Sequence, residues 1–238
     1  MRLLPHKRKL PFAISCLTVA IALTAFAPMH ADVIGFGSGG AIPDNNPSGF
    51  SSSITFTQNE IITGMSISID FGAIVAGTSG HTYVGDLIGT LSGPGGSIVL
   101  FDRPGFPATA FGDSSNLANV YIWANGGADF SAAAANVGNN AIVANGTYSA
   151  QAGDNSFRSF ATTFNGSSTA GLWTLNISDN AGSDTGGIVG WTLNIQGFVA
   201  IPEPSSPVFL AAAFAVAGWW SYRKREREKS RRRDRIYY

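Results

Sequence analysis

Gly171-Leu172-Trp173-Thr174-Leu175-Asn176-Ile177-Ser178-Asp179 decides the fold. Trp173, Leu175 and Ile177 alternate with Thr174, Asn176 and Ser178, so an extended strand would be apolar on one face only. The same period of two recurs where Met65, Ile67, Ile69 and Phe71 alternate with Ser66, Ser68 and Asp70, and again in Val189, Trp191, Leu193 and Ile195. Residues 86–92 and 97–101 flank Gly93-Pro94-Gly95-Gly96, a turn sequence that predicts a hairpin. Residues 53–57 and 120–123 are weaker strand candidates. Six or more short strands separated by Gly, Asn and Ser turns, with no helix between them, predict an all-β antiparallel jelly roll or β-sandwich over 51–198. That length buries enough surface to fold without disulfides.

The charge pattern narrows the function. The 238 residues hold 15 basic and 15 acidic side chains, but these are segregated. Four basic residues fall in 2–9 and nine in 223–235, whereas 32–201 holds eleven carboxylates against Arg103 and Arg158, a net charge of −9. A domain that acidic repels phosphate backbones, which excludes nucleic acid as a partner. The 29 glycines exclude a helical bundle, since each interior Gly costs a helix about 1 kcal/mol.

The termini read as address labels. A basic stretch, an apolar run over 10–27 and Pro28-Met29-His30-Ala31 predict a signal peptide, 1–31, cut after Ala31. The single cysteine, Cys16, lies inside it, so the mature chain has no disulfide, thiolate nucleophile or Cys-bound zinc. Residues 32–50, rich in Gly, Pro and Asn, read as a linker. Gly35, Gly37 and Gly40 fit the dinucleotide spacing GxGxxG, but with no strand expected before them and Pro43 and Pro47 where a helix should start, they read as linker glycines. Residues 124–156, mostly Ala, Gly and Asn, read as a mobile loop.

At the other end, Pro202-Glu203-Pro204, an apolar run over 207–220 and an Arg/Lys tail predict a short transmembrane helix at 207–222, with Trp219, Trp220 and Tyr222 at the membrane interface. Residues 201–235 closely resemble the PEP-CTERM sorting signal of Gram-negative bacteria, with Pro202, Glu203 and Pro204 as the sorting motif within 199–238. The resemblance implies export, recognition by an exosortase-type enzyme, transient residence in the membrane, removal of the tail and delivery to the cell surface or matrix. A permanent C-terminal anchor is the other reading.

The core is poor in catalytic groups. It has no Lys or Cys and one histidine, His81, and it lacks a Gly-x-Ser-x-Gly elbow. Asp179 and Asp184 are paired carboxylates, but nothing in the sequence sets them across a cleft.

Two motifs stand out: His81-Thr82-Tyr83-Val84-Gly85-Asp86-Leu87, and the quoted strand continuing through Asn180, Asp184-Thr185-Gly186 and Gly190-Trp191-Thr192-Leu193. In this order, from about Ile54 to Gln196, they resemble the P domain (Homo B domain) of subtilisin-like proprotein convertases. The resemblance implies a β jelly roll that accompanies a catalytic protease domain, with Gly85 among its motif residues. Trp173 and Trp191 are expected in the core. His81 and Asp86 bracket a strand entry, where a buried, turn-bonded histidine competes with a catalytic or metal-binding one. Asp86, Asp179 and Asp184 are candidates for a calcium site outside the cell, or for caps of their own turns. Trp123-Ala124-Asn125 stands where many members carry an acidic residue. The expected function is a non-catalytic, secreted, surface-sorted interaction or adhesion module of the extracellular matrix, with a protein or polysaccharide partner. Alternatives are an accessory domain serving a separate serine endopeptidase in trans, and a carbohydrate-binding jelly roll.

Overall fold

Each stretch of apolar–polar alternation becomes a strand. The computed structural model describes residues 30–106, 108–198 and 206–234. In chain order these form β1 (His30–Ile42), β2 (Asn46–Phe56), β3 (Ile61–Asp70), β4 (Gly80–His81), β5 (Leu87–Gly93), β6 (Gly96–Asp102), β7 (Val120–Ala128), α1 (Phe130–Val137), β8 (Thr147–Tyr148), β9 (Ala150–Gln151), β10 (Phe157–Arg158), α2 (Phe160–Phe164), β11 (Gly171–Asp179), β12 (Gly186–Phe198) and α3 (Ser206–Asp234). The larger sheet runs β1-β12-β3-β7-β8, with β4 also paired to β12, and the smaller runs β2-β11-β5-β6. The pairings are antiparallel except β7 with β8. The mostly β, sandwich-like architecture matches the expectation, including the β5–β6 hairpin at Gly93–Gly96.

Register explains the core. Across the larger sheet, Trp191 pairs with Ile69 and Ile69 with Tyr121, while Leu193 pairs with Ile67 and Ile67 with Trp123. These side chains are buried, as are Trp173, Leu175 and Ile177 of β11. Full burial of such side chains contributes roughly 1.5–3 kcal/mol each. The indole N–H groups of two tryptophans are satisfied: Trp173 donates to the Thr169 carbonyl (2.9 Å) and Trp191 to Ser52 Oγ (3.0 Å).

Three expectations need correction. Residues 32–50 are not a linker. They supply most of β1, paired to β12 from His30 to Ile42, and the start of β2. Glycine disguised the strand. Gly37 sits opposite Trp191, and a Cβ there would collide with the indole, so glycine lets the ring fold across β1.

Residues 124–156 are not a mobile loop either. They hold the end of β7, α1, β8 and β9. Their large apolar side chains are few but central: the Phe130 ring lies 5.1 Å from that of Tyr148 and 5.4 Å from that of Trp123. Asp129 caps α1 by accepting from the Ala132 amide (2.8 Å), and Gln151 Oε1 accepts from the Phe130 amide (3.1 Å). With α2, this makes two short helices where none was expected between the strands.

The third correction concerns the C-terminus. α3 is a helix of 29 residues, but no helix among the described residues is long and apolar enough to cross a membrane. Its apolar part gives way to charge at Arg223, short of the ~20 residues that a span requires. The signal peptide up to Met29 and the Pro202-Glu203-Pro204 motif lie outside the described residues.

Candidate functional site

At one end of the sandwich the two motifs meet. His81 is fixed by β4, where its amide donates to the Leu117 carbonyl (2.9 Å) and its carbonyl accepts from the Leu117 amide (2.8 Å). Its Nε2 lies 3.3 Å from Oδ2 of Asp179, the last residue of β11, and both side chains are 0% exposed. Asp179 also caps its own turn, its Oδ1 accepting from the Ala181 amide (3.1 Å).

Asn180 ties this turn to the other motif. Its backbone amide (2.8 Å) and its Nδ2 (3.1 Å) both donate to the Asp86 carbonyl. Asp86 ends a single 3-10 turn, Val84–Asp86, which enters β5. Gly85 is required there by close approach, because a Cβ would run into the backbone of Gly112 and Asp113. Arg103 Nε closes the turn by donating to the Gly85 carbonyl (3.0 Å).

The electrostatics follow from burial. Asp86 is 3% exposed, and its carboxyl is pushed up to about 6, first by desolvation and then by the negative charges of Asp179 and Asp184. Arg103 and His81 act in the opposite direction without cancelling the rise. The Tyr83 phenol is also raised, by burial and then by Asp86, Asp113 and Asp184. Asp86 thus shares one end of the fold with Asp179 and Asp184 and feels both of their charges. Among the described residues, however, no three His, Cys, Asp or Glu side chains stand close enough together to hold a metal ion. His81 and Asp179 bring β4 against the end of β11, and Asn180 ties that end to the Asp86 carbonyl at the entry of β5. Trp173 and Trp191 lie in the core, at 0% and 3% exposure.

The accessible surface of interest lies elsewhere, on the outer face of the larger sheet. Alternation sends Ile34 and Phe36 outward from β1, Ser66, Ser68 and Asp70 from β3, Val120 and Ile122 from β7, and Thr192, Asn194 and Gln196 from β12. Phe36 is 77% exposed, and Val189, where β12 enters the face, is 59% exposed. Two shallow grooves cross this face. One, of 340 Å³, is lined by Ser66, Asn125, Asn194 and Gln196 among others, and the other, of 280 Å³, by Phe36, Asp70, Val120, Val189, Trp191 and Thr192 among others. The sequence hid this face because its most exposed side chain, Phe36, is carried by β1, whose inward positions Gly35 and Gly37 are glycine. The alternation of Asp32, Ile34, Phe36 and Ser38 with Val33, Gly35 and Gly37 was the available signal.

Comparison with known proteins follows the motifs. Residues 137–195 match the family model of the proprotein convertase P-domain. Two solved structures are similar at low identity. One is the serine protease of Aeromonas sobria in complex with its chaperone ORF2 (15% identity, TM-score 0.38, 73% of this chain and 28% of that one). The other is the serine protease of Aeromonas sobria alone (13%, TM-score 0.37, 72% and 28%). The chain thus spans less than a third of the length of those proteins. No curated protein matches it. From the end of α1 through most of β12, the chain is similar to the proprotein convertase P-domain.

Proposed function

We propose that the chain is a non-catalytic interaction module, displayed at the cell surface or in the extracellular matrix. The observation that carries this is the outer face of the larger sheet, where Phe36, Ile34 and Val189 stand more than half exposed while the motif residues are sealed inside. Single exposed apolar residues are ordinary; three at one margin of a face that also carries two grooves mark a docking surface. The non-catalytic part rests on chemistry: the core's one imidazole, His81, is fully buried against Asp179 and out of reach of any substrate.

Washed extracellular matrix from producing cells should retain the purified full chain. The Phe36→Asp/Val189→Asp pair, with an unchanged melting temperature, should wash off. Retention that ignores the pair overturns the docking face, and turnover of a peptide library by the wild-type chain overturns the non-catalytic role. A second function, assistance to a separate serine protease in trans, is favoured by the P-domain match itself. It requires that such a protease co-purify from culture fluid. Surface display rests on the PEP-CTERM resemblance of 201–235 and implies loss of the tail. Mass spectrometry of surface-located protein that finds the C-terminus intact at Tyr238 refutes it.

A further inference from the structure

We propose that the chain pairs with a second copy of itself along β1, the two strands running antiparallel about a two-fold axis at Phe36. This goes beyond the docking role of the outer face, because it depends on the edge of the sandwich and is read out as oligomeric state.

The edge carries the first argument. β1, with 13 residues, ends the larger sheet and pairs only with β12 among the described residues. One row of its backbone N–H and C=O groups therefore faces no strand. Proteins ordinarily protect such an edge by keeping it short, by placing Lys or Pro on it, or by covering it. The opposite side of this sandwich is protected in that way: β8 has 2 residues, and β6 is flanked by α2, β9 and β10. β1 contains no Lys, Arg or Pro, and Asp32 is its only carboxylate.

The core is open on the same side. β2 ends the smaller sheet and lies against β1. Its Phe50 and Ile54 pack on the core but are only partly buried. They reach under Gly40 and Gly35 of β1, which have no side chains to cover them. This selects the partner. A single peptide strand added to β1 would leave β2 and the open core uncovered. Another sandwich of the same thickness meets both edges, because an axis that joins β1 to its copy, perpendicular to the sheets, also carries β2 towards its own copy.

The sequence of β1 suits pairing with itself. Phe36 is the midpoint of His30–Ile42, so a two-fold axis there pairs the strand over its full length. Phe36 then faces Phe36 of the second copy, Ile34 faces Ser38 and Gly35 faces Gly37. Phe36 and Ile34 are 77% and 51% exposed in the single chain, and across the seam each ring gains a ring opposite and an Ile34 on the diagonal. Charge allows the contact. Asp32 faces Gly40 rather than another carboxylate, and β1, β2 and the turn between them hold only Asp32 and Asp44 of the core's eleven acidic residues. With the far side of each sandwich protected, the pairing closes at two.

Sedimentation velocity of the full chain, across a wide range of concentration, should show a monomer–dimer equilibrium. Phe36→Lys sets like charges face to face and should raise the dissociation constant about tenfold or more, as should Phe36→Glu. An equimolar mixture of the two variants should recover the dimer, since residue 36 faces itself. In a Cys16→Ser background, Phe36→Cys should form an intermolecular disulfide under mild oxidation, because facing residues of antiparallel strands have Cα atoms ~4.5–5.5 Å apart. Leu172→Cys, exposed on β11, should not. Circular dichroism should show every variant folded, as the substituted β-strand positions are exposed. A chain that stays monomeric throughout overturns the proposal, and so does a dimer indifferent to Phe36→Lys, which would form through another surface such as α3. A mixture that does not recover, or a Phe36→Cys chain that does not crosslink, also overturns it. Matrix retention of a wild-type chain found to be monomeric would leave the docking role standing.

Discussion

Replacing Asp86 by Asn should stabilise the domain at neutral pH, although it removes a residue of the His81–Leu87 motif. Burial, with Asp179 and Asp184 nearby, raises the folded-state value of this carboxyl from 3.8 to about 6. The folded state therefore holds a proton through a window, from about pH 4 to about pH 6, in which the unfolded chain has lost it. Stability falls as pH rises through that window and stays reduced above it. A shift of about two units, at ~1.4 kcal/mol per unit, makes the charged carboxylate cost about 3 kcal/mol at pH 7.5. That is a large fraction of the 5–15 kcal/mol typical of a domain. Asparagine keeps the shape of the side chain and leaves the Asp86 carbonyl free to accept from Asn180. Urea unfolding of both proteins at pH 4, 5, 6 and 7.5, with the slope monitored for constancy, reads the difference directly. The gain should be about 3 kcal/mol at pH 7.5 and fade towards zero near pH 4. A gain independent of pH, or a loss at pH 7.5, refutes the burial argument.

The remaining predictions concern packing and ions. Trp173→Ala and Trp191→Ala should each cost roughly 3–5 kcal/mol in denaturant unfolding, the usual range for emptying a buried tryptophan site; midpoints that barely move would contradict the register described above. Gly37→Ala should cost about 1–3 kcal/mol by forcing the Trp191 indole away from β1, with a change in near-UV circular dichroism. Wild-type signal and stability in that variant would mean the ring does not lie across the strand. Calcium and magnesium at equal ionic strength should raise the melting temperature alike, by screening the acidic core. A calcium-specific gain that disappears in Asp184→Asn would establish the site that the three carboxylates do not form by themselves.

Strand identity was legible wherever one face of a strand carried large apolar side chains. β3, β11 and β12 announce themselves because Ile, Leu and Trp alternate with Ser, Thr and Asn. β1 did not, because the packing that buries it is supplied by its neighbours: Phe56 lies over Gly35, Phe50 over Gly40 and Trp191 over Gly37. A composition of glycine and proline means flexibility only when nothing covers it, and coverage is a tertiary fact. The α1 region failed for a related reason. Its order comes from Phe130, whose aromatic partners Phe101, Trp123 and Tyr148 come from β6, β7 and β8.

The same logic separates what the motifs do from where binding occurs. His81 and Asp179 are 98 positions apart in sequence, yet the fold spends both on one fully buried contact. The sequence singled out His81, Asp86 and Asp179, and the fold leaves them 0%, 3% and 0% exposed. Their spacing could not show this, since burial depends on β4, β5 and β11 converging beside β12. A surface that binds must instead be made of residues the fold does not need. Phe36 on β1 meets that condition: its ring is 77% exposed, it belongs to neither quoted motif, and it lies outside the P-domain match. Such a position can change while the motifs stay, because along one strand the residues that build the core and those that face outward alternate, as Trp191 and Thr192 do on β12.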